Sequence, residues 1–268
     1  MRRVVLRRKV PVFIIALLVI TGLSLFTGCS SISDAIVGSG DLITQEMDFA
    51  DFTKLEIGHV FQAQVTRADS FSVSLTVDDN LLEYVTVRKS GNTLSIYLKG
   101  GYAYIGTTKI VEITMPKLDK MSLSGGASGV VSGFRSLERL ELAASGSSTL
   151  YIDDTKAGDT SFKISGASRV SGGIEITEGR FDVSGASSLE LEGDARDISI
   201  EVSGASHADL ADFSVSNAAV NISGASVATV SVSGSIDGNV SGASRLTYLG
   251  GNPALTIEAS GDSTVDHG

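Results

Sequence analysis

The chain has 268 residues, 42% of them hydrophobic, with no tryptophan, three prolines, one cysteine and a formal net charge of −10. A single cysteine excludes an internal disulfide framework, and the acidic balance argues against nucleic acid or anionic lipid headgroups as charge-driven partners. Neither Pro-rich nor long charged linkers interrupt it, so one elongated domain or two abutting parts is the expected organisation.

The chain begins with a basic cluster, Arg2, Arg3, Arg7, Arg8 and Lys9, followed by an apolar stretch from Val10 to Phe26 that ends at Thr27-Gly28-Cys29. This resembles a bacterial lipoprotein signal peptide with its lipobox, although Phe26 stands where Leu is usual. The resemblance implies an N-terminal signal helix over 1–28, cleavage before Cys29, and acylation of Cys29 as the membrane attachment. The competing reading is a retained anchor, since about 17 apolar residues barely span a bilayer. Either places the rest of the chain outside the cytoplasm, and Ser30-Ser31, without the aspartate associated with inner-membrane retention, points to the outer membrane or cell surface. Removing residues 1–28 removes five cations and no anions, so the formal charge of −10 becomes −15. Residues 29–40 read as a short flexible tether.

Residues 41–120 are rich in period-two alternation. Phe71-Ser72-Val73-Ser74-Leu75-Thr76-Val77 and Leu94-Ser95-Ile96-Tyr97-Leu98 predict strands, and Ser90-Gly91-Asn92-Thr93 predicts a turn. Tyr97, Tyr102 and Tyr104, close together near Gly100-Gly101, suggest an aromatic platform for a sugar.

From residue 121 onward a phrase built on Ser-Gly-Ala-Ser recurs. Its first serines are Ser124, Ser145, Ser165, Ser184, Ser203, Ser223, Ser241 and Ser260, spaced 21, 20, 19, 19, 20, 18 and 19 residues apart. Alternating Val/Ile runs flank each copy, such as Ile198 to Val202 before and Val227 to Val232 after. The expected fold is all-β: a β-solenoid of about 19–20 residues per coil over 41–268, with 41–120 less regular and 121–268 the repeat coils. The glycine suits a sharp corner with φ > 0. Stacked serines can bond along their column or back to the corner backbone. The leucine-rich repeat ladder is absent.

The order Val60-Phe61 to Val65, Asp78-Asp79-Asn80-Leu81-Leu82, Gly91 to Ile96, Ile113-Thr114-Met115-Pro116-x-Leu118 and Leu123-Ser124-Gly125-Gly126-Ala127-Ser128 resembles the head GIN domain family. The resemblance covers roughly residues 50–262. It implies a β-helical secreted or surface-tethered protein carrying an auto-transporter adhesin label. No C-terminal run of amphipathic barrel strands accompanies it.

Chemical motifs are sparse. With His59, His207 and His267 the only histidines, a row of nucleophilic serines lacks its bases. Asp78-Asp79, Asp153-Asp154 and Asp209 with Asp212 are the carboxylate pairs that glycoside cleavage would require. Gly172-Gly173 and Gly250-Gly251 do not extend to a calcium-binding nonapeptide, so no metal or other cofactor is expected. Ligand contact is expected from the variable residues after each corner, Arg169, Ser188, His207, Val227 and Arg245. These observations favour a non-enzymatic envelope lipoprotein that binds a protein or glycan. The alternatives are a structural or regulatory envelope subunit and, third, a polysaccharide-active enzyme. A last coil without an obvious cap suggests self-association.

Overall fold

The computed structural model describes residues 34–268; the signal helix expected over 1–28 and Cys29 lie outside the described residues. Among the described residues, 22 strands and one short 3-10 turn are found, and no helix is long and apolar enough to cross a membrane. The N-terminal strands are β1 (Asp34–Val37), β2 (Leu42–Met47), β3 (Lys54–Ile57), β4 (Gln62–Arg67), β5 (Ser72–Asp78), β6 (Val85–Ser90), β7 (Thr93–Leu98), β8 (Tyr102–Ile105) and β9 (Lys109–Met115). The 3-10 turn, Asp79–Tyr84, joins β5 to β6. The repeat region contributes β10 (Lys120–Leu123), β11 (Ser128–Ser132), β12 (Leu140–Ala144), β13 (Thr149–Lys156), β14 (Thr160–Ile164), β15 (Arg169–Glu175) and β16 (Glu178–Val183). It continues with β17 (Ser188–Val202), β18 (His207–Ile222), β19 (Val227–Val240), β20 (Arg245–Leu249), β21 (Ala254–Ala259) and β22 (Thr264–His267).

The result is the expected β-solenoid. The strand before each Ser-Gly-Ala-Ser corner belongs to one parallel face, β3, β10, β12, β14, β16, then the second halves of β17 to β19, then β21. The strand after each corner belongs to the other, β4, β11, β13, β15, the first halves of β17 to β19, β20 and β22. In β17, β18 and β19 the second corner is a bend within one long strand, where the register shifts.

Period-two alternation sends one side chain in two to the interior. Parallel, in-register pairing then stacks equivalent residues into columns. Leu94, Leu55, Met121, Leu142, Phe162, Phe181, Ile200 and Val220 form one buried column. The phenyl rings of Phe162, Phe181 and Phe213 meet edge to face, with centroids 5.2 Å and 6.0 Å apart.

The corners explain their own sequence. The first serine is half-buried, glycine takes the left-handed turn, and the last serine points inward: Ser148, Ser168, Ser187, Ser206, Ser226 and Ser244 are all buried. The backbone N–H of each of the first five donates to the hydroxyl of the next, at 3.2–3.4 Å. Ser187, Ser226 and Ser244 in turn donate to the glycine carbonyl of the preceding corner, at 3.3 Å. The serine is a required acceptor for a buried amide that the turn leaves unpaired within its own coil. In the first copy the buried place falls to Ala127, and Ser128 begins the strand β11. Ser206→Ala strands the Ser187 amide and is expected to cost about 1–3 kcal/mol in a denaturant titration. Ser203→Ala, which breaks no side-chain bond, should stay within about 0.5 kcal/mol.

Residues 41–120 extend both faces. The coil β3–β4 lies between β10–β11 on one side and β7 and β9 on the other. Beyond these, β6 pairs antiparallel with β7, and β5 and β2 continue antiparallel from β9. Within the segment expected to be a flexible tether, Asp34–Val37 instead form β1, paired in parallel with β8. Ala35-Ile36-Val37 favours an extended backbone, and Ile36 gains burial against the core.

Asp78 locks this end. Its buried carboxylate accepts the N–H of Thr108 at 2.6 Å and of Gly40 at 2.8 Å, tying both connections together. These two donors, Thr108 foremost and assisted by the Lys109 charge, hold its pKa below the ordinary carboxylate value against the opposing effect of burial. A carboxylate whose folded pKa is depressed stabilises above its unfolded pKa, near 4, and loses that contribution as pH falls through the folded value. The protection of the Gly40 and Thr108 amides relative to their intrinsic exchange rates is therefore expected to fall below about pH 4, and Asp78→Asn should abolish that dependence.

Candidate functional site

In-register stacking places Arg169, Ser188, His207, Val227 and Arg245 on five consecutive coils, as one outward column. All are exposed except the half-buried Ser188. Arg169 is tied to Glu190 at 3.7 Å in the neighbouring column. Asp209 lies two residues beyond His207, and its carboxylate accepts the Ala211 N–H at 3.1 Å. The column is an ordered row of unlike side chains on an open sheet.

The tyrosines separate into two groups. Tyr102 and Tyr104 cluster with Tyr84, at centroid distances of 5.0 Å and 6.1 Å from it. Burial raises the hydroxyl pKa of Tyr84 and Tyr104, and the Tyr104 hydroxyl donates to the Lys99 carbonyl at 2.7 Å. The expected platform of Tyr97, Tyr102 and Tyr104 is thus replaced by one containing Tyr84, which the sequence reading missed. Tyr97 lies on β7 opposite Thr86, with its side chain on the outer face of that sheet.

There it overlooks a groove of about 680 Å³ lined by Glu56, His59, Arg88, Ser95, Tyr97 and Ser122, among others. Arg88, Ser95, Glu56 and Ser122 are successive members of one outward column. The Ser95 hydroxyl donates to Glu56 Oε2 at 3.1 Å, and the His59 ring lies 6.5 Å from Tyr97. His59 and Val60 occupy the corner position that later coils fill with Ser-Gly-Ala-Ser. Both have left-handed backbones, φ 55° and 62°, and Val60 is 58% exposed. A β-branched residue at positive φ is an outlier, and such strain persists chiefly at sites of function. The signal for this site was present in the sequence as Gly58-His59-Val60-Phe61, a tight corner without the phrase.

Of the carboxylate pairs, Asp78, Asp79, Asp154 and Asp209 have partners of their own. Asp78 and Asp79 fix the N-terminal connections, Asp79 accepting the Ser39 hydroxyl at 2.6 Å. Asp154, at a bulge with φ 41°, pairs with Arg135. It shares an open acidic groove of about 560 Å³ with Glu175, Glu192, Asp194 and Asp212. Hydrogen bonding to Lys156 holds the Glu175 carboxyl below its ordinary pKa. Glycoside cleavage needs the opposite shift in its acid.

Comparison with known proteins agrees with the fold. A crystal structure described as a "putative adhesin" from Parabacteroides distasonis superposes with a TM-score of 0.82 at 22% identity, covering 88% of this chain and 100% of that one. A second "putative adhesin", from Parabacteroides merdae, gives 0.80 at 19% identity, covering 88% and 100%. A "putative lipid binding protein" from Parabacteroides distasonis gives 0.79 at 19% identity, covering 87% and 99%. At these identities the likeness is one of fold. No curated protein matches the chain. The family described as "Putative auto-transporter adhesin, head GIN domain" matches residues 51–253, three quarters of the chain, and the protein belongs to that family.

Proposed function

We propose that this protein is a non-enzymatic, extracytoplasmic lipoprotein, acylated at Cys29 and held at the outer membrane or cell surface, that binds a protein or glycan ligand through the Tyr97 groove. The observation that carries the reading is the strained His59-Val60 corner beside Tyr97, Arg88 and Glu56, on sheets that hold these groups rigidly. An aromatic face flanked by a guanidinium, an imidazole and a carboxylate offers stacking with hydrogen-bond donors and acceptors, the chemistry of sugar and peptide recognition. The family description supports an adhesin-like role, and no cofactor enters it.

The test is a soluble form beginning at Ser30, probed in parallel against a glycan array and envelope proteins. Tyr97→Ala and Arg88→Ala are each expected to weaken the captured ligand about tenfold or more. Unchanged binding in both, with loss on replacing Arg169, His207 and Arg245, would move the site to the opposite face. Absence of any ligand for the unaltered protein would count against a binding role.

A further inference from the structure

The small β1–β8 sheet turns Asp34, Tyr102, Ile36 and Tyr104 to one side and hydrocarbon alone to the other. Ile36 and Tyr104, partners in register, pack against the core. The alternate positions pair Ala35 with Ala103 and Val37 with Ile105, and Val37 and Ile105 are 60% and 54% exposed. A sheet with one face on a core ordinarily turns polar residues to water on the other. Here all four outward positions are hydrocarbon.

A further observation says what covers this face. The chain enters the solenoid here: Asp34, the first residue of β1, follows Cys29 by five positions. Five extended residues span at most about 18 Å. A lipid on Cys29 would therefore keep this tier within that distance of the bilayer, while Leu255 and Val265 belong to the coil at the far end of the stack.

We propose that the outer face of the β1–β8 sheet rests on the lipid surface, with Val37 and Ile105 in the interface. The inference rests on the lipoprotein reading. It assigns the N-terminal end as the membrane-proximal one and leaves the repeat coils projecting away from the bilayer.

Because the chain lacks tryptophan, one introduced indole reports its own environment. The full chain, processed and acylated in its host, is reconstituted into phosphatidylcholine–phosphatidylglycerol vesicles carrying brominated acyl chains. Ile105→Trp should shift its emission to the blue and lose at least half its intensity relative to unbrominated vesicles, and Leu255→Trp should do neither. Val37→Trp carries the same readout if Ile105→Trp does not fold. Vesicle-bound protein in which the indole stays unquenched in both the Ile105→Trp and the Val37→Trp variants would overturn the proposal. So would a blue shift that depends on protein concentration and ignores bromination, which would make the occupant a second copy of the chain. Acylation is read separately, from the mass of the N-terminal peptide. An N-terminal peptide that retains residues 10–26 and carries no lipid sinks the lipoprotein reading alone, since the apolar segment then holds the chain at the membrane and quenching of the Ile105→Trp variant still decides the docking.

Discussion

Phe181→Ala is expected to lower stability by about 3–5 kcal/mol and the melting temperature by roughly 10 °C, measured by urea titration and calorimetry of the soluble form. Phe181 is 1% exposed, sits in register between Phe162 and Ile200, and packs edge to face on Phe162 and Phe213. Removing the ring leaves a void that the coils above and below cannot close, because their backbones are fixed at the inter-strand spacing of about 4.8 Å. In a stacked architecture each coil touches only its neighbours. Amide exchange should therefore accelerate first in β14, β16 and β17. A loss under about 1 kcal/mol would mean that the interior is not packed as described.

The second large effect belongs to a corner. Gly224 has φ 80°, and a Cβ there would meet the Gly204 carbonyl oxygen at 2.5 Å. That same oxygen accepts the Ala225 N–H at 2.8 Å and the Ser226 hydroxyl at 3.3 Å. Gly224→Ala thus adds the left-handed penalty of about 1–2 kcal/mol to a steric one of about 1–3 kcal/mol. A total of about 3.5 kcal/mol is expected, the sum of the two midpoints. Gly91→Ala is the control: φ is 59° and nothing lies within 4 Å of the added methyl, so only the conformational part, about 1–2 kcal/mol, should appear. Equal losses in the two variants would show that stacking of the corners contributes nothing.

The two experiments probe what was already legible in the chain. A glycine every 19 to 20 residues, between runs of alternating Val and Ile, can be read without coordinates, since each corner repeats one local problem and its solution. The same regularity put Arg169, Ser188, His207, Val227 and Arg245 in one column. The sequence also carried the serine ladder, except at its start, where Ala127 rather than Ser128 turns inward. That choice depends on a register set by Gln62 and Thr149, which pair with Ser128 from outside the repeat phrase and from the next coil.

What coordinates alone decided lies in residues 34–120. Alternation showed strands there, but not that β3–β4 would be enclosed by strands from both later directions, nor that β5 and β6 would reverse. Strand pairing is a long-range choice, and period two looks the same in parallel and antiparallel ladders. For that reason Arg88 and Glu56, 32 residues apart in sequence, met beside Tyr97 only in the folded chain, and Tyr84 joined Tyr102 and Tyr104. Local chemistry determined the coil and its corners. Tertiary pairing determined the antiparallel N-terminal strands, the groove and the bare β1–β8 face, because each is assembled from segments whose own sequences do not specify their neighbours.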